Sequence, residues 1–539
     1  MQLFAFRRMA WFLPLAIFLT GAVSAQAEGN LKKVKHIIIV MQENHSFDNY
    51  FGALAYAPGS PYHTPEQDRD RDQNGDGDDT RGCRRDDHRC VDGLSCTVDS
   101  SGQFTCLNAN IDDDGHTVLA FHDSRRCVLP DLAHGWADTH HEANFSNGNN
   151  TLFNALNDGF VRVNDVSEQH DNGVENATED QTMNFYNQDE LPFYYDLAQK
   201  FAISDRYFCS VLGPTFPNRS YLMAATSFGH LTTAETFPPP GGYKPITGTI
   251  FDLMEAHNVS WADFFQDAPQ GGSFRPFSFT GGTSDPHFLP LKLFMAQAAG
   301  KPGAGPLPSV SFIDPSFGLF GIQFENDEHP PTDIQRGQAF VSQVVNAVRN
   351  GPFWKDSIIF ITYDEHGGSY DHVAPPRARQ GHEPNPDGIS PGQCADLSNP
   401  PASLQPGGGA KCAVSKGGAV GLCPPFAADL TGPFPASCAN FDQFGFRVPF
   451  LAISPFSKRH YVSHTVGDHT SLLALIEKAF MTSDRDHDGD DDAEGSHPHL
   501  TLRDQQANTL EDMFDFDESP SLHTTVGQAA PPAQDCTPH

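Results

Sequence analysis

Apolar residues gather along the chain in a few short, dense runs separated by long polar stretches. Lys35 to Gln42 (KHIIIVMQ) and Asp356 to Tyr363 (DSIIFITY) are compact β-branched runs, each followed at once by acidic and polar residues. A half-exposed strand would alternate polar and apolar positions, so these runs predict parallel strands covered on both faces. Val310 to Ile313 and Phe450 to Ile453 predict shorter strands. Thr332 to Asn350 instead carries Ile334, Phe340, Val341, Val344, Val345 and Val348 at helical spacing, and it leads into the second long run as a crossover helix would. Ser471 to Phe480 also reads as helix. Ligand sites in open α/β sheets lie just beyond the carboxyl ends of the strands, which directs attention to Glu43-Asn44 and Asp364-Glu365.

The ends and the interruptions add a different message. Arg7 and Arg8, an apolar stretch from Met9 to Val23, and Ala25-Gln26-Ala27 read as an export signal over residues 1–27. The paired arginines leave both general secretion and twin-arginine export open. No later segment approaches the ~20 uninterrupted apolar residues of a spanning helix, so no transmembrane anchor is expected. Residues 28–514 are expected to form one catalytic domain with two Cys-rich surface insertions, at about 57–127 and 375–438. Residues 515–539 read as a polar, poorly ordered tail.

Nine of the eleven cysteines cluster in those insertions: Cys83, Cys90, Cys96, Cys106 and Cys127 in the first, and Cys394, Cys412, Cys423 and Cys438 in the second. In an exported chain without a CxxC pair this favours local disulfides over a Cys-ligated zinc. The odd count leaves one thiol over, and Cys209 is the candidate for a buried free one. Asp70, Asp72, Asn74, Gly75, Asp76 and Asp78 reproduce the start of a calcium loop, as do Asp484, Asp486, Asp488, Gly489, Asp490 and Asp492. Both lack the closing glutamate, with Arg81 and Gly495 in its place, so each is either a structural calcium site completed from outside or a solvated acidic loop. With 34 basic and 68 acidic residues the formal charge is −34. That balance excludes a nucleic-acid partner and suits cations.

Three polar clusters carry the chemistry. Gln42-Glu43-Asn44-His45-Ser46-Phe47-Asp48-Asn49-Tyr50-Phe51-Gly52 follows the first strand, Gly213-Pro214-Thr215-Phe216-Pro217-Asn218-Arg219 lies mid-chain, and Thr362-Tyr363-Asp364-Glu365-His366-Gly367-Gly368 follows the later strand. Each alone reads as a cap, a turn or a solvated loop. Taken with Asp189-Glu190-Leu191-Pro192-Phe193-Tyr194-Tyr195, Asp205, Asn326-Asp327-Glu328-His329-Pro330-Pro331, Tyr370-Asp371-His372-Val373 and Asp468-His469-Thr470-Ser471, the set resembles a bacterial phosphoesterase family. That family unites phosphatidylcholine-type phospholipases C with certain acid phosphatases and belongs to the alkaline phosphatase-like superfamily. The resemblance runs from about Lys35 to Glu477 outside the insertions. It implies an α/β fold with an alkaline phosphatase-like, parallel-rich central sheet flanked by helices.

Phosphoryl transfer needs an in-line nucleophile, neutralisation of the nonbridging oxygens and protonation of the leaving oxygen. The resemblance implies that Glu43, Asn44, Asp364 and Glu365 hold a divalent metal with Thr215 Oγ as a further ligand. It also implies that Thr215 is the nucleophile, acting through a phospho-threonyl intermediate; metal coordination is what brings a hydroxyl toward ionisation near neutral pH. One or more ions are expected, and the oxygen-rich set suits calcium, magnesium, manganese or zinc. His134, His140, His141, His329 and His469 are implied as donors to the phosphoryl oxygens, one of them protonating the leaving alcohol. Arg219 and Asn218 are substrate-binding candidates. Arg219 either clamps a phosphate or braces the nucleophile turn, while Asn218 and Asp205 either support the pocket or act as structural caps.

In relatives acting as phospholipases C the nucleophile tends to be threonine, and in acid phosphatases serine. Thr215 therefore predicts a secreted phospholipase C that cleaves a phosphatidylcholine-like glycerophospholipid to diacylglycerol and a phosphorylated headgroup, with peripheral membrane contact. A secreted acid phosphatase acting on phosphomonoesters is the alternative within the same chemistry. A non-catalytic calcium-binding surface protein is the alternative outside it.

Overall fold

The dense apolar runs do form the centre of a sheet. The protein, a computed structural model, is described at residues 31–65, 82–112, 114–127, 131–144, 156–164, 179–230, 233, 243–245, 247–274, 285–378, 386–387, 413–415, 418–420, 441–482 and 497–529. Eight strands build one sheet: β1 (His36–Gln42), β2 (Ala202–Ser204), β3 (Trp261–Phe265), β4 (Phe288–Pro290), β5 (Val310–Ile313), β6 (Ser357–Tyr363), β7 (Phe450–Ile453) and β8 (Tyr461–Ser463). Their spatial order is β4-β3-β5-β1-β6-β7-β2-β8. Strands β4, β3, β5, β1 and β6 run parallel, β7 runs antiparallel to both its neighbours, and β8 is parallel to β2.

Burial explains the composition of the centre. Every residue of β6 is buried, as is every residue of β1 after His36, which is why neither strand alternates polar and apolar positions. The expected α/β fold with a parallel-rich sheet holds, and the predicted strand bounds differ from the observed ones by one residue at Lys35 and Asp356.

Five helices matter for the site: α1 (Phe47–Phe51), α2 (Trp136–Ala143), α3 (Thr215–Ala224), α4 (Ile334–Arg349) and α5 (His469–Phe480). The predicted crossover is α4, capped by the Asp333 side chain accepting from Gln335 N–H, with Phe340, Val341, Val344, Val345 and Val348 buried. It carries the chain from β5, on one side of β1, to β6 on the other. Helix α5 begins at His469, two residues before the predicted start, and packs on α3.

The first insertion holds short two-stranded ribbons and the disulfides Cys83–Cys90 and Cys96–Cys106, with Cys127 also disulfide-bonded. Cys209 is a buried free thiol, as expected. The export signal, the cysteines of the second insertion and both acidic loops (Asp70, Asp72, Asn74, Asp76 and Asp78; Asp484, Asp486, Asp488, Asp490 and Asp492) lie outside the described residues. Of the stretch expected as a polar tail, residues 515–529 are described, and they dock on the body. Phe516 is buried, its ring 5.3 Å from Phe456 and 5.6 Å from Phe514, and Gly527 N–H donates to Asp196 Oδ2 at 2.6 Å. Val526 and Ala529 pack against the same core, so several apolar residues together dock this stretch on the body. No helix of the described residues is long and apolar enough to cross a membrane.

Candidate active site

Register brings the two acidic motifs together. Gln42 pairs with Tyr363 at the ends of β1 and β6, so Glu43-Asn44 and Asp364-Glu365 leave the sheet side by side at one carboxyl edge. All four are buried. Asn44 has φ 84° and Gly367 φ 63°, two left-handed turns facing each other. A Cβ at Gly367 would stand 1.6 Å from Asn44 Oδ1, so only glycine permits the approach. At Gly368, with φ 72°, a Cβ would stand 2.6 Å from Leu132 Cβ; its absence lets the segment ending in His134 close over Glu365.

The nucleophile candidate stands one helical turn before a residue that reaches this edge. Thr215 is the first residue of α3, and Arg219 follows one turn later on the same face. The Arg219 guanidinium donates to Glu43 Oε1 at 3.0 Å and to Asp364 Oδ2 at 3.1 Å, tying the first turn of α3 to both strand ends. Asn218 is fully committed to the turn itself: its Nδ2 donates to Gly213 O at 2.8 Å and its Oδ1 accepts from Val211 N–H at 3.0 Å. Trp136 of α2 packs against Gly213, where a Cβ would meet its ring at 3.2 Å.

The donor set fits a divalent cation. Asn44 Oδ1 and Glu365 Oε1 are buried oxygens without a hydrogen-bond partner. Burial, reinforced by Glu43, pushes the Asp364 carboxyl well above the usual range against the pull of Arg219. Burial also opposes ionisation of Glu365, but His134 and His366 overcome it and bring its pKa down to about 2. Buried carboxylates and an amide with unpartnered oxygens are what a hard cation would satisfy.

The five candidate histidines separate into two groups. His134 and His329 are partly exposed, their Nε2 atoms 3.7 Å from Glu365 Oε1 and 3.7 Å from Asp131 Oδ1 respectively. Each donates Nδ1–H to a backbone carbonyl, Leu132 O at 2.6 Å and Pro330 O at 2.7 Å, which turns Nε2 inward. Burial disfavours both charges, yet Glu365 and Asp131 raise His134 to about 10, and Asp131 and Glu43 raise His329 to about 9. His469 is fully buried, donating Nε2–H to Asp364 O at 2.8 Å and facing Tyr207 Oη with Nδ1 at 3.3 Å. Burial lowers it to about 4, so it stands as a neutral brace behind Asp364. His140 is also buried and lowered to about 4 by burial, its Nδ1 2.6 Å from Trp136 O, and burial lowers the half-exposed His141 too. Asp205 pairs with His464 at 2.7 Å in a separate buried charge cluster.

Several residues at the site were not singled out by the sequence. Asp131 accepts from Asn44 Nδ2 at 3.3 Å, and its carboxylate, with His134 and His329, forms a group whose donor atoms lie within 4.8 Å of one another. Glu142 Oε2 lies 2.8 Å from His366 Nε2, placing an ion pair behind Glu365. Glu328 is a buried carboxylate accepting from Tyr50 at 2.6 Å, Tyr194 at 2.5 Å, Tyr363 at 2.6 Å and Gln42 at 3.4 Å. It fastens the end of β1, the end of β6 and the loop bearing His329 to one point. Glu328, Tyr50, Tyr194 and Tyr363 all lie in the quoted motifs, but nothing in the sequence says that the three tyrosines converge on this carboxylate.

Comparison with known proteins places the chain in a family. The chain is 30% identical over 360 residues to non-specific phospholipase C6 of Arabidopsis thaliana, covering 65% of this chain and 56% of that protein. It is 26% identical over 495 residues to non-specific phospholipase C1 of the same plant, covering 90% of this chain and 72% of that one. It is 28% identical over 486 residues to the non-hemolytic phospholipase C of Burkholderia pseudomallei, covering 84% of this chain and 56% of that one. The chain thus spans little more than half the length of two of these three relatives. The family model of the Phosphoesterase family matches residues 34–482, and the chain belongs to that family of phosphoric ester hydrolases.

Proposed function

We propose that this protein is an exported phospholipase C that cleaves a zwitterionic glycerophospholipid on the phosphate side of its glycerol oxygen, with Thr215 as nucleophile. The carrying observation is the double tether of Arg219 to Glu43 and Asp364, which sets the first turn of α3 against the edge where Asn44 and Glu365 also converge. The names of the relatives, all phospholipases C, support the diester over the monoester as substrate.

Glu43, Asn44, Asp364, Glu365 and Thr215 Oγ would hold a divalent metal, which would supply charge neutralisation and a lower pKa for the attacking hydroxyl. Thr215 Oγ releases its proton to solvent and forms a bond to phosphorus while the bond to the diacylglycerol oxygen breaks. His329, protonated and partly exposed, gives that oxygen its proton, and His134 donates to a nonbridging oxygen. Water then attacks phosphorus: one of its protons goes to Thr215 Oγ as the Oγ–phosphorus bond breaks, the other restores His329, and the phosphorylated headgroup leaves. The disulfides of the first insertion support an oxidising destination outside the cytoplasm.

The test offers purified protein phosphatidylcholine, p-nitrophenylphosphorylcholine and p-nitrophenyl phosphate, with Thr215→Ala alongside. Hydrolysis of both diesters, with kcat lowered by roughly 10³-fold or more in the variant, is expected. Preference for the monoester would convert the reading to a phosphatase, and a Thr215→Ala enzyme near wild-type rate would remove the nucleophile.

A further inference from the structure

Strand β5 ends at Ile313 beside β1, so the chain leaving it emerges on the edge that carries Glu43. Residues 316–326 then form a closed loop, pinched where Asn326 N–H donates to Ser316 O at 3.0 Å and Ser316 N–H donates to Asn326 Oδ1 at 2.7 Å. Its first half hangs on one buried carboxylate: Asp267 accepts from Ser316 Oγ at 2.9 Å, Phe317 N–H at 3.1 Å and Leu319 N–H at 3.1 Å. Its second half is held where Arg336 Nη1 donates to Gln323 O at 2.9 Å.

The two sides of this loop differ. On the inner side the Phe317 ring lies 5.1 Å from the Arg219 guanidinium, the same group that binds Glu43 and Asp364. On the outer side Leu319, Phe320 and Phe324 are 63%, 72% and 58% exposed. Among the described residues, Phe320 and Phe324 are the exposed phenylalanines. A backbone so fixed cannot fold these side chains away, and an apolar cluster held in water beside a site marks a contact surface. The run Phe317 to Phe324 (FGLFGIQF) carries no charged side chain, in a chain of formal charge −34. That combination repels an anionic bilayer and offers it no basic residue, while suiting the interface of a zwitterionic one, where aromatic rings settle at the headgroup level.

We infer that the loop from Phe317 to Phe324 is a membrane-contact wedge that seats the mouth of the site on a zwitterionic phospholipid surface. The inference rests on the phospholipase reading above, and lipid binding is measurable without turnover.

The test compares wild type with the triple variant Leu319→Ser, Phe320→Ser, Phe324→Ser. The measurements are co-sedimentation with phosphatidylcholine vesicles, hydrolysis of those vesicles, and hydrolysis of soluble p-nitrophenylphosphorylcholine. Vesicle binding and vesicle hydrolysis should each fall about tenfold or more in the variant, with the soluble rate within about twofold of wild type. Phe320→Trp should show a blue-shifted emission on adding the same vesicles, and doping them with anionic lipid should not strengthen binding. Equal vesicle binding by wild type and triple variant would overturn the inference even with diester hydrolysis intact. So would a wild-type dimer that the triple variant renders monomeric without any vesicle binding. Loop-dependent vesicle binding without hydrolysis of either diester would instead uphold the surface and refute the phospholipase reading.

Discussion

Arg219 brings a positive charge into a cluster of buried carboxylates, 3.0 Å from Glu43 and 3.1 Å from Asp364, at a place where a divalent cation is also expected. Removing it leaves two buried carboxylates short of a counter-charge. Arg219→Ala should therefore cost roughly 3–5 kcal/mol of stability in protein stripped with a chelator. The loss should shrink when manganese or calcium is supplied, because the cation neutralises the same oxygens. Calorimetric unfolding of wild type and variant, with chelator and then with ion, reads this directly. A loss identical in both conditions would mean that Arg219 and the ion do not share these carboxylates. The sequence named Arg219 but left its role open between phosphate clamp and brace, since the reach of a long side chain depends on where its helix is docked. The histidines show the same limit. His329 and His469 both stood out by motif, and only burial and the engagement of both ring nitrogens separate the charged one from the neutral brace.

Elements were more legible than side-chain roles. Strands β1 and β6 announce themselves because a strand covered on both faces must be continuously apolar, and helix α4 because its single buried face must repeat every three to four residues. The placement of Glu43-Asn44 and Asp364-Glu365 was legible for the same reason: they follow strands that must end at a sheet edge. What joins them was hidden, because it depends on register and on the space between turns. Gly367 is the sharpest case, with φ 63° and a neighbour at 1.6 Å from any added Cβ. Gly367→Ala should add about 1–3 kcal/mol of backbone strain and push Asn44 away from Glu365. Isothermal titration with manganese or calcium should show weaker binding by about tenfold or more in a variant whose far-ultraviolet circular dichroism is unchanged. Wild-type ion affinity in that variant would detach the turn from the metal site. The tyrosine-bound carboxylate of Glu328 belongs to this hidden class as well. Its partners, Tyr50, Tyr194, Tyr363 and Gln42, are spread over separate motifs whose meeting no spacing reveals, and burial raises it to about 7 against the pull of these donors.

At the scale of the whole molecule, buried charge links distant segments and sets a pH window for stability. His372 Nδ1 lies 2.6 Å from Asp48 Oδ2 and its Nε2 3.3 Å from Asp92 Oδ1, while fully buried Arg447 binds Asp48 and Asp371 at 3.0 Å each. These contacts give the later part of the first motif a structural role: Asp48 anchors the chain leaving Asn44. Burial opposes the charge on His372, but Asp48 and then Asp92 raise its pKa to about 10. A histidine raised in the folded state contributes stability that is whole below its ordinary pKa and is lost as pH climbs through the folded value. The contribution of His372 should therefore decay between pH 6.5 and about 10, by at most about 1.4 kcal/mol per pH unit. Asp371 acts elsewhere on the scale: burial, ahead of the opposing pull of Arg447, raises it to about 6, so the cost of ionising it is complete before His372 begins to titrate. Asp92 has the opposite sign, its carboxyl held below the usual range by His372 and Arg206 against burial, and its contribution fades only as the solution turns acid. Denaturant unfolding at neutral and at alkaline pH, with a saturating divalent ion present throughout, should show wild-type stability falling. His372→Gln should begin less stable at neutral pH and fall less steeply. Parallel slopes for the two proteins would assign the alkaline loss to other groups and leave the Asp48–His372–Asp92 cluster without a share in it.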